Sequence, residues 1–192
     1  MDIYISQGEV TMPRTISITK ESLVEAAVNL LKREGMDALT ARKLAKEAGC
    51  STQPIFRAYQ NMDELNADVF GVCAKLFSDH CSSYPADSKV PFVNLGLAYI
   101  SFAQTNKQVF RLLFLSDNRY GRSLVELLNG ETGFLKEQIA SARAEGASDP
   151  QGLFMKMWML IHGCACMSLT DDYDLDIAAT RKLLEDAERV FA

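Results

Sequence analysis

A chain of 192 residues, 48% hydrophobic and 23% charged, has the size of one large domain or two small ones and the composition of an ordinary globular fold. No apolar run is long enough for a membrane span. The start, "MDIYISQGEV", lacks the basic residues and apolar centre of a secretory leader, so membrane and secreted classes give way to the cytoplasm. The net charge of −5 is uneven: the first 60 residues hold 8 Lys/Arg and 7 Asp/Glu, net +1, and the rest is net −6. That asymmetry leaves room for a local basic patch at the front.

Apolar residues recur at helical spacing almost throughout, and no strand-like alternation outlasts "IYI" near the start. Met12, ahead of "PRTISITKES", offers an alternative start to the chain. The first helix opens at Thr19 as N-cap and closes at Gly35, with Leu23, Ala26, Ala27, Leu30 and Leu31 on its buried face. Thr40 caps a second helix, "ARKLAKEAG", and Ser51 caps a third, running to about Ala58. Asn61 caps a fourth that runs to about His80, with Glu64 as the return arm of a capping box. The "SSYPADS" break follows as a domain boundary. Further helices are expected near 88–105, 106–115, 120–145 (with a break near Gly130), 149–170 and 175–190, with Pro150 in the first turn behind Asp149.

The second and third helices form a helix-turn-helix. Ala45 is small enough for close approach, Gly49 can take the left-handed conformation, and Ile55 plugs back beside Leu44, Ala48 and Cys50. Pro54 is tolerated because a first-turn N–H has no helical partner to lose. No acid occurs between Ala48 and Gln60, as a helix set between phosphates requires. Thr52 and Gln53 are placed to face base edges, with Arg42, Lys43, Lys46 and Arg57 around them.

The segments "EAAVNLL", "EGMDALT", "KLAKEAG" and "IFRAYQNMDEL", about fifty residues from Lys20 to Val69 with matching spacing, resemble the DNA-binding domain of TetR-type (tetracycline-repressor-like) transcriptional regulators. Two positions depart from that pattern. Phe56 replaces the usual tyrosine and so lacks its phenolic hydroxyl, and Met62 replaces a lysine that would contact phosphate. Lys20, Arg57 and Arg14 are the cations at hand to compensate. The DNA-facing set is then Lys20, Thr40, Arg42, Thr52, Gln53, Pro54, Phe56, Arg57 and Tyr59. "VFRLLFL" and "WMLIHGCA" also resemble segments of one version of the family's regulatory domain.

The expected architecture is all-α. Residues 1–14 form an arm, 15–80 a helix-turn-helix DNA-binding domain with its motif at 40–59, and 85–192 a helical bundle for ligand binding and dimerisation. The resemblance implies a ligand-responsive repressor that binds a palindromic operator as a dimer. A helical protein–protein adaptor without DNA binding is the alternative.

The effector is expected to be a small apolar or aromatic molecule held by Phe102, Phe110, Phe114, Tyr120, Trp158 and His162, since few charges fall on the enclosing helices. The dimer is expected through the last two helices, by Met155, Met159, Cys166 and Leu169 on one and Leu183, Leu184, Ala187 and Val190 on the other. Coupling between the two functions would run through the fourth helix.

No enzyme, cofactor or metal site is expected. The five cysteines are odd in number and scattered, which suits reduced thiols, and Cys164 and Cys166 point to opposite sides of one helix. Neither His80 nor His162 has a glutamate three residues before it. "DDYDLD" lacks the glycine and glutamate of a calcium loop and suits a polar turn capping the last helix. No phosphate-cradling glycine loop or recognisable nucleophile appears.

Overall fold

In the computed structural model the described residues are 18–130, 133–170 and 172–192. The arm at 1–14 with Arg14, the "IYI" segment, Met12 and Asp171 lie outside them. The described residues are helical with no strand. A front unit carrying the helix-turn-helix is followed by a larger helical bundle.

Helix α1 (Lys20–Glu34) is closed at its start by a reciprocal cap. The Thr19 hydroxyl accepts from Ser22 N, and Thr19 N donates to Ser22 Oγ. A 3₁₀ turn (Met36–Ala38) leads to α2 (Ala41–Glu47), whose first turn is capped by Thr40. Gly49 has φ +64, and the N–H groups of Gly49 and Cys50 satisfy the carbonyls of Lys46 and Ala45. This paired closure of a helix end turns the chain sharply.

Helix α3 (Gln53–Ala58) starts behind Thr52, not Ser51, and Thr52 makes no side-chain cap bond. Pro54 removes one of the two N–H groups that a cap at Thr52 could take. Helix α4 (Met62–Ser83) is capped by Asn61 and runs three residues past the expected end at His80. Glu64 does reach back, but its carboxylate accepts from Gln60 N, one residue before the cap.

The expected helix from 88 begins instead at Val93, as α5 (Val93–Thr105). Pro91 disfavours helical backbone at Val90, and Phe92 sits in the left-handed region at φ 65, its N–H held by Gln138 Oε1 at 2.9 Å. Asn94 closes the turn before it by exchanging two bonds with the Ser88 backbone. Helix α6 (Lys107–Phe110) passes into a π-helical turn, Arg111–Leu115. The long helix expected over 120–145 is a loop and two short helices, α7 (Leu124–Asn129) and α8 (Phe134–Ala144), split at Gly130 with φ +52. Helix α9 (Pro150–Met167) starts behind Asp149, and α10 (Ile177–Phe191) behind Asp176, in each case by a carboxylate cap.

Helix α5 is the centre of the bundle, with every residue from Val93 to Ile100 buried. It packs between α9 and α10, and Gly96 permits the approach. A Cβ added there would lie 2.7 Å from Leu184 Cδ1 and 2.9 Å from Ile161 Cδ1. Gly96→Ala therefore forces two helices apart in a close-packed core. It should lower unfolding free energy by about 1–3 kcal/mol in urea denaturation, whereas Gly71→Ala on α4, whose added methyl meets only Arg122 Nη2 at an ordinary 3.7 Å, should not.

Candidate functional site

The helix-turn-helix is held by a small core of Leu44, Ala45 and Ile55, with Ala48 and Cys50 partly buried around it. Its second helix keeps only Ile55 buried, so the remaining side chains of α3 are free to meet a partner. Gln53 and Arg57 are exposed, Thr52 and Pro54 half-buried, and Phe56 is 53% exposed. On α2, Arg42 and Lys46 are exposed with no carboxylate partner among the described residues. Lys43 differs, since its ammonium is bound to Glu34 at 2.8 Å. The nearest acid on α2, Glu47, is likewise drawn away, bonded to Arg33 at 2.7 and 3.0 Å. The net effect is an exposed surface of amide, guanidinium, ammonium and one aromatic ring. Thr40 stands at its edge, its hydroxyl oxygen accepting from Lys43 N.

Two residues of the expected set are placed otherwise. Tyr59 is 2% exposed, its hydroxyl donating to Asp68 Oδ2 at 2.9 Å. Burial, and then Asp68, raise its phenol far above the ordinary value, so it stays a protonated donor. Lys20 lies over the Tyr59 ring, 4.4 Å from its centre, and 3.7 Å from Glu64. Tyr59 thus anchors the recognition helix from behind instead of displaying a hydroxyl to phosphate. The sequence shows an aromatic at this position but not the direction of its ring.

In the second half, five of the six residues expected to hold an effector do come together: Phe102, Phe110, Phe114, Trp158 and His162. They are gathered by one that sequence reading missed, Tyr99. Its ring lies 4.8–6.1 Å from those of Phe110, Phe114, Trp158 and His162, and Phe77 of α4 bridges it to Phe102. The Tyr99 hydroxyl meets His162 Nδ1 at 3.0 Å, and His162 Nε2 faces Cys166 Sγ at 3.6 Å. Burial, and secondarily Arg119, lower the His162 pKa, favouring the neutral ring, whose two nitrogens face one hydroxyl and one thiol.

Tyr120 does not join them. It sits in the loop after the π turn at φ 51 and packs on Phe70 of α4 at 5.3 Å. The rings fill their own space: Phe102, Phe110, Phe114 and Trp158 are all buried. A cavity of about 510 Å³ lies against the opposite face of α5, and a groove of about 720 Å³ runs between α1 and α4. Neither is lined by any of the six residues, so the expected pocket is, in this structure, a packed core.

Burial raises Cys73 and Cys81 to about 12, which leaves both as inert thiols. Among the described residues no group of three or more His, Cys, Asp or Glu is placed to hold a metal ion. Nor is any described helix long and apolar enough to cross a membrane.

Comparison with known proteins agrees with this division. The family model "Bacterial regulatory proteins, tetR family" matches residues 23–69, and "Tetracyclin repressor-like, C-terminal domain" matches residues 92–190. An uncharacterised HTH-type transcriptional regulator of Mycobacterium tuberculosis is 24% identical over 182 residues, covering 91% of this chain and 82% of that protein. A Rhodococcus sp. structure assigned to the TetR family shares the fold with a TM-score of 0.65 at 15% identity, covering 90% of this chain and 97% of its own. A TetR-like transcriptional regulator from Rhodococcus sp. RHA1 does so at 0.60 and 16% identity, covering 93% and 96%. With both halves of the chain matched and the helix-turn-helix exposed at its front, the chain belongs to the TetR family of bacterial transcriptional regulators.

Proposed function

We propose that the chain is a cytoplasmic, ligand-responsive repressor that binds a palindromic operator as a homodimer. The observation that carries the DNA reading is the acid-free exposed face of α3, with Gln53 and Arg57 exposed on it and Arg42 and Lys46 exposed on the preceding helix. Gln53 serves as the base-reading amide, and Arg57 and Arg42 as phosphate contacts. Phe56 supplies an apolar surface for a thymine methyl or a sugar.

One helix-turn-helix reads only a few base pairs, so useful specificity needs two, one helical turn of DNA apart or a multiple of it. The surface for pairing lies on α9 and α10. Met155, Met159 (63% exposed) and Met167 form an apolar stripe with Gly163, which has open space around it. Val190 is 80% exposed, with Leu183 and Ala187 partly buried beside it. Leu169 and Leu184, also expected at this interface, are buried within the chain. Leu184 packs toward Gly96 instead. Lys156 joins the two helices by donating to the Phe191 carbonyl at 2.8 Å.

The effector is a small apolar or aromatic molecule whose binding favours a spacing of the two α3 helices that no longer matches the operator. Helix α4 links the two functions, because its first turns hold α3 and its later turns carry Phe77 into the aromatic core.

Gln53→Ala should weaken binding to the operator by about 1–3 kcal/mol and relax preference at one position per half-site, measured by fluorescence anisotropy on a panel of duplexes. Arg57→Ala should lower affinity for all sequences alike and flatten the dependence on salt. An adaptor would show no salt-dependent duplex binding at all. Met159→Glu should convert a sedimenting dimer to a monomer at micromolar concentration and remove operator binding with it, leaving helical content intact.

A further inference from the structure

The structure carries a ligand-sized cavity where sequence reading expected none. It lies between the end of α4, the outer face of α5 and the start of α10, and its volume is about 510 Å³. That is in the range of sites for small organic molecules, roughly 300–1,000 Å³. The two faces of α5 divide the bundle. Tyr99 and Phe102 point into the ring cluster, while Leu97, Ile100, Ser101 and Gln104 fall on the opposite side and wall the cavity.

The lining decides the chemistry. Tyr84, Leu97, Ile100 and Ile177 make it mostly apolar, and no Lys or Arg contributes. Its one carboxylate, Asp176, is committed as the cap of α10, accepting from Ala179 N at 2.7 Å. Thr180 is committed to the Tyr173 hydroxyl at 2.8 Å. The side chains of Ser101 and Gln104, one helical turn apart, have no hydrogen-bond partner among the described residues. Apolar walls without a cation disfavour an anion, and the one helix N-terminus at the cavity, that of α10, is already occupied by the Asp176 carboxylate. Two unused polar groups on one side can take a single hydrogen-bonding function.

The cavity also stands clear of the proposed dimer surface. Ala178, Arg181 and Glu185 share a flank of α10, and the last two reach back to Asp87 and Ser88 at 3.2 and 3.0 Å. Leu183, Ala187 and Val190 lie on the other flank. It stands, moreover, at the end of α4. Tyr84 is the C-cap of that helix, and one turn earlier His80 Nε2 donates to the Ala98 carbonyl at 3.1 Å, tying α4 to α5.

We propose that this cavity binds a neutral, largely apolar small molecule, with one hydrogen-bonding group directed to Ser101 and Gln104, and that it is the effector site. This rests on the reading of the chain as a ligand-responsive regulator. The ligand wedges between Tyr84 and Ile177 and so acts on the end of α4 opposite to α3.

The test uses the full-length chain and 6-propionyl-2-dimethylaminonaphthalene, a neutral fluorophore with one carbonyl acceptor. Expected is saturable, blue-shifted binding of one probe per chain. Ala178→Trp, at an exposed position on the rim, should fill the site and weaken binding by about tenfold or more, and Gln104→Ala by a few-fold. Val72→Trp, in the groove between α1 and α4, should leave binding unchanged. The anionic 1-anilinonaphthalene-8-sulfonate should bind at least about tenfold more weakly than the neutral probe. Absence of saturable binding, equal binding in Ala178→Trp with unchanged circular dichroism, loss in Val72→Trp instead, or preference for the anion would each overturn the proposal. Duplex binding measured without probe separates the two readings. If it persists while the probe fails to bind, only the cavity assignment falls; if it is absent while the probe binds, the regulatory reading falls and the cavity stands.

Discussion

Tyr59 is drawn into the crease between α1 and α4, its ring beneath the Lys20 ammonium and its hydroxyl on Asp68, and this burial decides where α3 can lie. Helix α3 is six residues long with only Ile55 buried, far short of what an isolated helix needs to persist in water. Its geometry is therefore borrowed from the turn before it and from the tyrosine after it. Burying an aromatic ring contributes about 2–3 kcal/mol, and the hydroxyl bond to a carboxylate about 1–3 more. Gln60 N on Glu64 fixes the chain one residue further on, at 2.8 Å. The side chains that would read DNA can point outward because the next aromatic points in.

The same helix that receives Tyr59 runs on into the second half of the chain. Helix α4 is unbroken over 22 residues, about 33 Å at helical rise, and its inward face runs from Leu65 and Val69 to Phe77 and Cys81. Phe77 meets Tyr99, Phe102 and Phe114 edge-on at 5.0–5.9 Å. Tyr120 packs on Phe70 from the loop after the π turn, a second contact of the bundle on α4. A rod held at one end by α3 and along its length by packed rings has few ways to respond to a disturbance. It can tilt or slide as a body.

What the sequence made legible is the chemistry that acts locally. Caps at Thr19, Thr40, Asn61 and Asp149, and the left-handed Gly49, follow from groups a few residues apart, and all are present. The misplacements have equally local causes. Pro54 takes one N–H away from the cap of α3, and Pro91 with the left-handed Phe92 delayed α5 to Val93. What was not legible is the direction in which a long apolar helix sends each ring. Tyr99 stands in a run from Val93 to Ile100 that is buried on every side, so periodicity gives it no face. The Phe and Trp spacing identifies residues that cluster but says nothing of whether they leave a void. Leu169 and Leu184 read as surface from spacing alone, and tertiary contacts bury both, while Met167 stays exposed.

The position of the cavity follows from the density of the ring cluster. Rings that meet at 4.8–5.1 Å, with Tyr99 hydrogen-bonded to His162, leave little to compress. Gly96 has already removed the slack between α5 and the helices beside it, so α5 cannot retreat toward Leu184 or Ile161. A molecule entering on the outer face of α5 then finds one wall fixed. The displacement it demands must come from the other two, the start of α10 and the end of α4. The former is tied to residues 87–88 through Arg181 and Glu185, and the latter to α5 through the His80 bond to the Ala98 carbonyl and the rings of Phe77 and His80 packed on Phe102. A shift of that end of α4 would be carried along the helix whose first turns hold α3, the route that the proposed effector site requires.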